Sequence, residues 1–110
     1  MKIASVIIRD SEGERRLNIE QLPLRLGTGT DCEIRLPGPG SSAVAILDEL
    51  DGEPFVQPVG RSASMQINGE ELRTSRKLAG GDELEFFGTR VVIGEQDEAL
   101  TLHIRLEDSA

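Results

Sequence analysis

Apolar and polar residues alternate along this chain with a dominant period of two rather than 3.6. Leu17 and Ile19, then Leu22, Leu24 and Leu26, are separated by polar neighbours, and Ile34 and Leu36 flank Arg35. The longest run is Leu100, Leu102, Ile104 and Leu106, interleaved with Thr101, His103 and Arg105. Successive side chains of a strand point to opposite faces, so such runs predict strands with one buried face. His103 then falls on the outer face. Val91-Val92-Ile93 is apolar at every position and predicts a strand buried on both faces. The N-terminal stretch Met1–Arg9 holds a charge followed by an apolar run too short for a signal peptide, and predicts a first strand. Ile46–Leu50 is the one helix candidate, and it is shorter than an isolated helix needs.

Turn signals break these runs at short intervals. They are Gly27-Thr28-Gly29, Pro37-Gly38-Pro39-Gly40, Asp51-Gly52, Asn68-Gly69 and Gly80-Gly81. Asp-Gly and Asn-Gly suit two-residue hairpins, in which both central residues need positive φ. Many short strands joined by such turns predict an all-β antiparallel sandwich or barrel.

Composition narrows the function classes. With 110 residues and 37% hydrophobic positions, the chain supplies one core, so residues 1–110 read as one domain that is either whole or a module of a longer protein. A net charge of −8 argues against nucleic acid and against an anionic membrane, both of which need a basic face. The single cysteine, Cys32, cannot form an internal disulfide and points to a reducing, cytoplasmic setting. One Cys and one His fall short of the three or four ligands of structural zinc. The acidic segment Asp48–Glu53 lacks the ligand spacing of a calcium loop and reads as a solvated hairpin. No Ser/His/acid or Cys/His set is placed together by any motif. These readings give a protein without catalysis, metal or cofactor.

Four segments carry a family resemblance. Leu24-Arg25-Leu26-Gly27-Thr28-Gly29-Thr30-Asp31-Cys32-Glu33-Ile34-Arg35-Leu36-Pro37 resembles the Gly-Arg loop and following Asp-x-x-Ile strand of the forkhead-associated (FHA) domain. Ser41-Ser42-Ala43-Val44-Ala45-Ile46-Leu47 is similar to its Ser-Arg-x-His strand start, and Val59–Gly69 to its Gly-Ser-Thr-Asn-Gly stretch. Leu78–Leu84 is similar to the turn into a late strand. The resemblance covers residues 22–93. It implies an FHA-like β-sandwich of about eleven strands with binding loops at one end.

The same resemblance marks what is missing. In the family an Arg after the first Gly and a later Ser contact phosphothreonine, an Asn holds the peptide backbone and a His braces the loops. Here those positions hold Thr28, Ser41, Ala63 and Val44. Ser42 stands at the second Arg position and Ser62 at the Thr position. Thr28 reads as an ordinary loop residue, and one hydroxyl in place of a guanidinium fork loses a charge-assisted contact to phosphate. Ser41 and Ser62 read either as phosphate-facing hydroxyls or as turn-forming side chains. Arg61, near the binding rim, reads either as a solvated loop residue or as a replacement cation.

The expectation is a protein-interaction or scaffold module lacking most phosphothreonine ligands, with Thr28, Ser41, Ser42, Arg61, Ser62 and Ala63 as its candidate patch and a protein or peptide as its partner. The alternative is a phosphopeptide reader that uses Ser41, Ser62 and Arg61. The resemblance also implies a third setting, the cytoplasmic domain of a membrane-anchored protein, since some FHA-like domains of secretion machinery lack the phosphate ligands.

Overall fold

A computed structural model describes residues 2–37, 43–59 and 65–106. Twelve strands form among the described residues: β1 (Ser5–Asp10), β2 (Gly13–Asn18), β3 (Leu24–Gly27), β4 (Ile34–Arg35), β5 (Ala43–Leu50), β6 (Glu53–Pro58), β7 (Gln66–Ile67), β8 (Glu70–Glu71), β9 (Arg76–Lys77), β10 (Glu83–Phe86), β11 (Thr89–Gln96) and β12 (Ala99–Leu106). A single turn of 3-10 helix, Ile19–Gln21, separates β2 from β3. The helix candidate at 46–50 is instead the second half of β5, because Ile46, Asp48 and Leu50 pair in register with Gln57, Phe55 and Glu53 of β6.

The strands form two sheets, of order β2-β1-β12-β11-β10-β7-β8 and β4-β3-β5-β6-β9. Pairing is antiparallel except for β1 with β12 and β3 with β4. The first of these places the N-terminal strand beside the C-terminal one, which makes β12 an interior strand of its sheet. Alternating residues of the two inner faces meet in one core. Val6, Ile8, Ile67, Leu84, Phe86, Val91, Ile93, Leu100 and Leu102 come from the larger sheet, and Leu24, Leu26, Ile34, Ala45, Leu47 and Val56 from the smaller. Met65, Leu72 and Leu78 seal it from the connections.

Val92 is half-buried, whereas the apolar run predicted burial on both faces. Its neighbours Val91 and Ile93 take the inner face, and strict alternation turns Val92 outward. Thr101 departs the other way and is buried at 8% exposure on the outer face, between Ile7 of β1 and Gly94 of β11. Asp51-Gly52 and Asn68-Gly69 form the expected tight hairpins, with φ of 53° and 82° in the first and 51° and 84° in the second. Cys32 and Leu36 are buried, and His103 is exposed as the alternation predicts.

Candidate functional site

The register brings several strand ends together at one end of the sandwich. Gly27, the last residue of β3, pairs with Ala43 at the start of β5, and Val59, just after β6, donates its N–H to the carbonyl of Val44 at 3.0 Å. Because β3 and β4 run parallel, the chain leaves this end after Gly27, returns at Ile34 beside Leu26, and leaves again after Arg35. Residues 28–33, 36–37 and 59 therefore leave their strands at the same end. Gln66, the first residue of β7, pairs with Glu85 near the end of β10. The β10–β11 turn, Phe87-Gly88, thus joins the group.

Thr28 lies at the root of the first loop and is 9% exposed. It is a loop residue, as the sequence suggested, and it is buried. Its short β-branched side chain stands where the family resemblance has a guanidinium. Val44 is half-buried and packs against the core, so it contributes filling where the family resemblance has a polar brace. Ser41, Ser42, Arg61, Ser62 and Ala63 lie outside the described residues.

An ion-paired clamp fixes the 28–33 loop. Glu33 accepts hydrogen bonds from the Arg25 backbone N–H at 2.8 Å, Nε at 3.3 Å and Nη2 at 3.0 Å. Asp31 accepts from Arg25 Nη1 at 3.2 Å. The parallel pairing of β3 with β4 makes this possible, since it brings residues eight positions apart side by side. The Arg25 side chain, and secondarily its backbone N–H, hold the Glu33 carboxyl down to about 2. Glu33 in turn raises the Arg25 guanidinium above its ordinary value. Arg25 is thus engaged within its own loop, through Glu33 and Asp31. The sequence shows the clamp only as an Arg and a Glu flanking a loop, which is too common a pattern to single out.

A second brace joins two turn motifs. Asn68 Nδ2 donates to Asp82 Oδ1 at 3.0 Å, Asn68 Oδ1 accepts from the Glu83 N–H at 2.9 Å, and Asp82 Oδ2 accepts from the Ala79 N–H at 2.9 Å. These bonds tie the β7–β8 turn to the turn that leads into β10.

Phe87 is the residue the sequence reading passed over. It is 57% exposed at the tip of the β10–β11 turn, with φ of 44°. A bulky side chain is rarely held in the left-handed region, and an exposed ring gains little from folding. Its one ring contact is edge-to-face with Phe86, at 4.8 Å between centroids. Phe86-Phe87-Gly88 held the signal: in an alternating strand only one of two adjacent aromatics can face the core.

Among the described residues there is no group of three or more His, Cys, Asp or Glu that could hold a metal, and no helix is long and apolar enough to cross a membrane.

No family model matches the chain, and no curated protein matches it. Among solved structures it is similar to that of Rv0020c FHA, with a TM-score of 0.58 and 16% identity over 92% of this chain and 93% of that one. At this identity the likeness is one of fold: the chain is an FHA-like β-sandwich.

Proposed function

We propose that this protein is a non-catalytic interaction or scaffold module that presents the loop end of an FHA-like sandwich to a protein partner, without relying on phosphothreonine. Burial of Thr28 is the observation that carries the reading. The family resemblance puts a phosphate-binding Arg at that position, and this chain offers a buried hydroxyl. The neighbouring cation, Arg25, is already paired with Glu33 and Asp31.

What the end offers a partner is shape and apolar contact. Phe87 supplies an exposed ring there, and exposed aromatics on rigid scaffolds are common anchors of protein interfaces. Arg61, Ser41, Ser42, Ser62 and Ala63 complete the proposed patch by their place in the sequence. A cytoplasmic setting, either free or attached to a membrane-anchored protein, agrees with a lone unpaired cysteine.

The test compares wild type with a rebuilt variant carrying Thr28→Arg, Val44→His and Ala63→Asn, using a degenerate phosphothreonine peptide library. The expected result is phosphate-dependent binding at least about tenfold tighter in the rebuilt variant, as one restored charge-assisted contact gives. Equal, phosphate-dependent binding by both proteins would show that these positions are not the missing ligands. A reader working through Ser41, Ser62 and Arg61 would then replace this proposal.

A further inference from the structure

The β10–β11 hairpin closes through Phe87 and Gly88, between the paired residues Phe86 and Thr89. Their φ angles, 44° and 79°, are close to those of Asp51-Gly52 and Asn68-Gly69. Positive φ at both central residues gives a two-residue hairpin the twist that its strands need. Asp and Asn tolerate the left-handed region in the other two turns. Phe87 does not, because there the Cβ crowds the following carbonyl and a bulky side chain is an outlier. The strain brings little packing in return. The ring is 57% exposed, and its one ring contact among the described residues is with Phe86.

A second cost lies beside the same turn. Thr89 is 1% exposed and faces the core with Val91 and Ile93. Its Oγ1 is buried without a hydrogen-bond partner among the described residues. Such a hydroxyl forfeits on folding the hydrogen bond it makes to solvent in the unfolded chain. Thr89 is the first residue of β11 and half of the pair that closes the hairpin, so a change of turn moves it first.

We infer that this turn is a two-state element that swings the Phe87 ring between two directions at the loop end. One peptide flip connects the observed turn to a type II turn, in which the first central residue has φ near about −60° and the second near about +80°. Gly88 already holds the second value, so Phe87 alone has to leave the left-handed region. The flip relieves Phe87. Type II geometry also splays the flanking strands, which loosens the Phe86–Thr89 pair and opens the Thr89 hydroxyl to solvent. Against this stand the lost match of twist and the lost ring contact with Phe86. Two costs are exchanged for two others, which keeps the states close in free energy. For its use the switch rests on the loop-end reading: a partner that takes the ring in one direction selects that state.

The test is amide NMR relaxation dispersion and saturation-transfer exchange on the free wild-type domain, which detect minor states on timescales of microseconds to milliseconds and slower. The expected result is exchange across Phe86–Arg90, with a minor state of roughly 1–10%. Phe87→Asn suits the left-handed region and should lower that population at least about threefold. Thr89→Val removes the hydroxyl that the second state solvates and should lower it at least about twofold. Phe87→Pro fixes φ near about −65° and favours the type II turn, so its shifts at Thr89 and Arg90 should lie toward the wild-type minor state. Where Phe87→Pro does not fold, the Asn and Val variants decide. Flat profiles throughout Phe86–Arg90, or an unchanged population in either Phe87→Asn or Thr89→Val, would overturn the inference. So would a folded Phe87→Pro with shifts at the major-state positions. Each of these results leaves the loop-end reading standing, since that reading needs the ring exposed and not mobile.

Discussion

Replacing Gly94 with Ala probes the packing between β11 and β12. Gly94 sits directly opposite Thr101, and a Cβ built on it stands 2.5 Å from Thr101 Oγ1 and 3.9 Å from Thr101 Cβ. The hydroxyl, not the backbone, is therefore what the new methyl meets. Thr101 has little room to rotate away, being 8% exposed, β-branched and flanked by Ile7 on its other side. Overpacking of this kind costs about 1–3 kcal/mol. Ala recovers about 0.5–1 kcal/mol by restricting the unfolded chain. The net expectation is a loss of about 1–2 kcal/mol. Thr101→Ala removes the obstructing hydroxyl, so adding Gly94→Ala to it should be neutral or mildly stabilising. The double-mutant cycle then yields a coupling of about 1 kcal/mol or more. Urea denaturation of the four proteins, with unchanged m-values, reads this directly. A neutral Gly94→Ala in the wild-type background, or an equal cost in both backgrounds, would refute the proposed contact and with it the β11–β12 register.

Three further outcomes are expected. Leu102→Ala, at a fully buried position in the centre of the core, should cost about 2–5 kcal/mol, and a loss below about 0.5 would place that face of β12 outside the core. Glu33→Gln should be less stable than wild type above pH 4.5, with the gap closing as pH falls toward 2. Arg25 depresses the folded-state carboxyl from 4.5 to about 2, so its stabilisation is present above the unfolded value and lost through the folded one. Denaturation curves at stepped pH that keep a constant gap would reject the clamp. Phe87→Gly should change stability by no more than about 0.5 kcal/mol, because relief of the left-handed backbone offsets the lost ring contact with Phe86. A loss beyond about 1.5 kcal/mol would make Phe87 a structural residue and remove it from the loop-end patch.

What could be read from the chain beforehand follows from how local each signal is. Asp51-Gly52 and Asn68-Gly69 announce their hairpins because positive φ at adjacent residues restricts the choice of side chains. The turns at Phe87-Gly88 and Asp97-Glu98 adopt the same positive φ without that composition, one with a bulky residue and the other with no glycine at all. Leu100 and Leu102 declare their inward face by alternation. The burial of Thr101 depends on Ile7, which arrives from the other end of the chain through the parallel β1–β12 pair. Val92 was misread for a related reason: three β-branched neighbours look alike in sequence, and only the pleat assigns their faces. At the loop end, the family resemblance singles out Thr28 by its place in the sequence, and its burial is not written in that motif. The Arg25–Glu33 clamp needs the parallel β3–β4 pairing to exist at all.

The central claim, recognition of a protein partner without a phosphothreonine ligand set, meets its most direct test in an NMR titration of the wild-type domain. A degenerate phosphothreonine peptide library and its unphosphorylated twin are added in parallel. The account predicts no saturable, phosphate-dependent shift up to about 1 mM, a limit equivalent to about 4 kcal/mol of binding free energy. Micromolar, phosphate-dependent shifts centred on residues 27–28, 41–42 and 61–63 would contradict it.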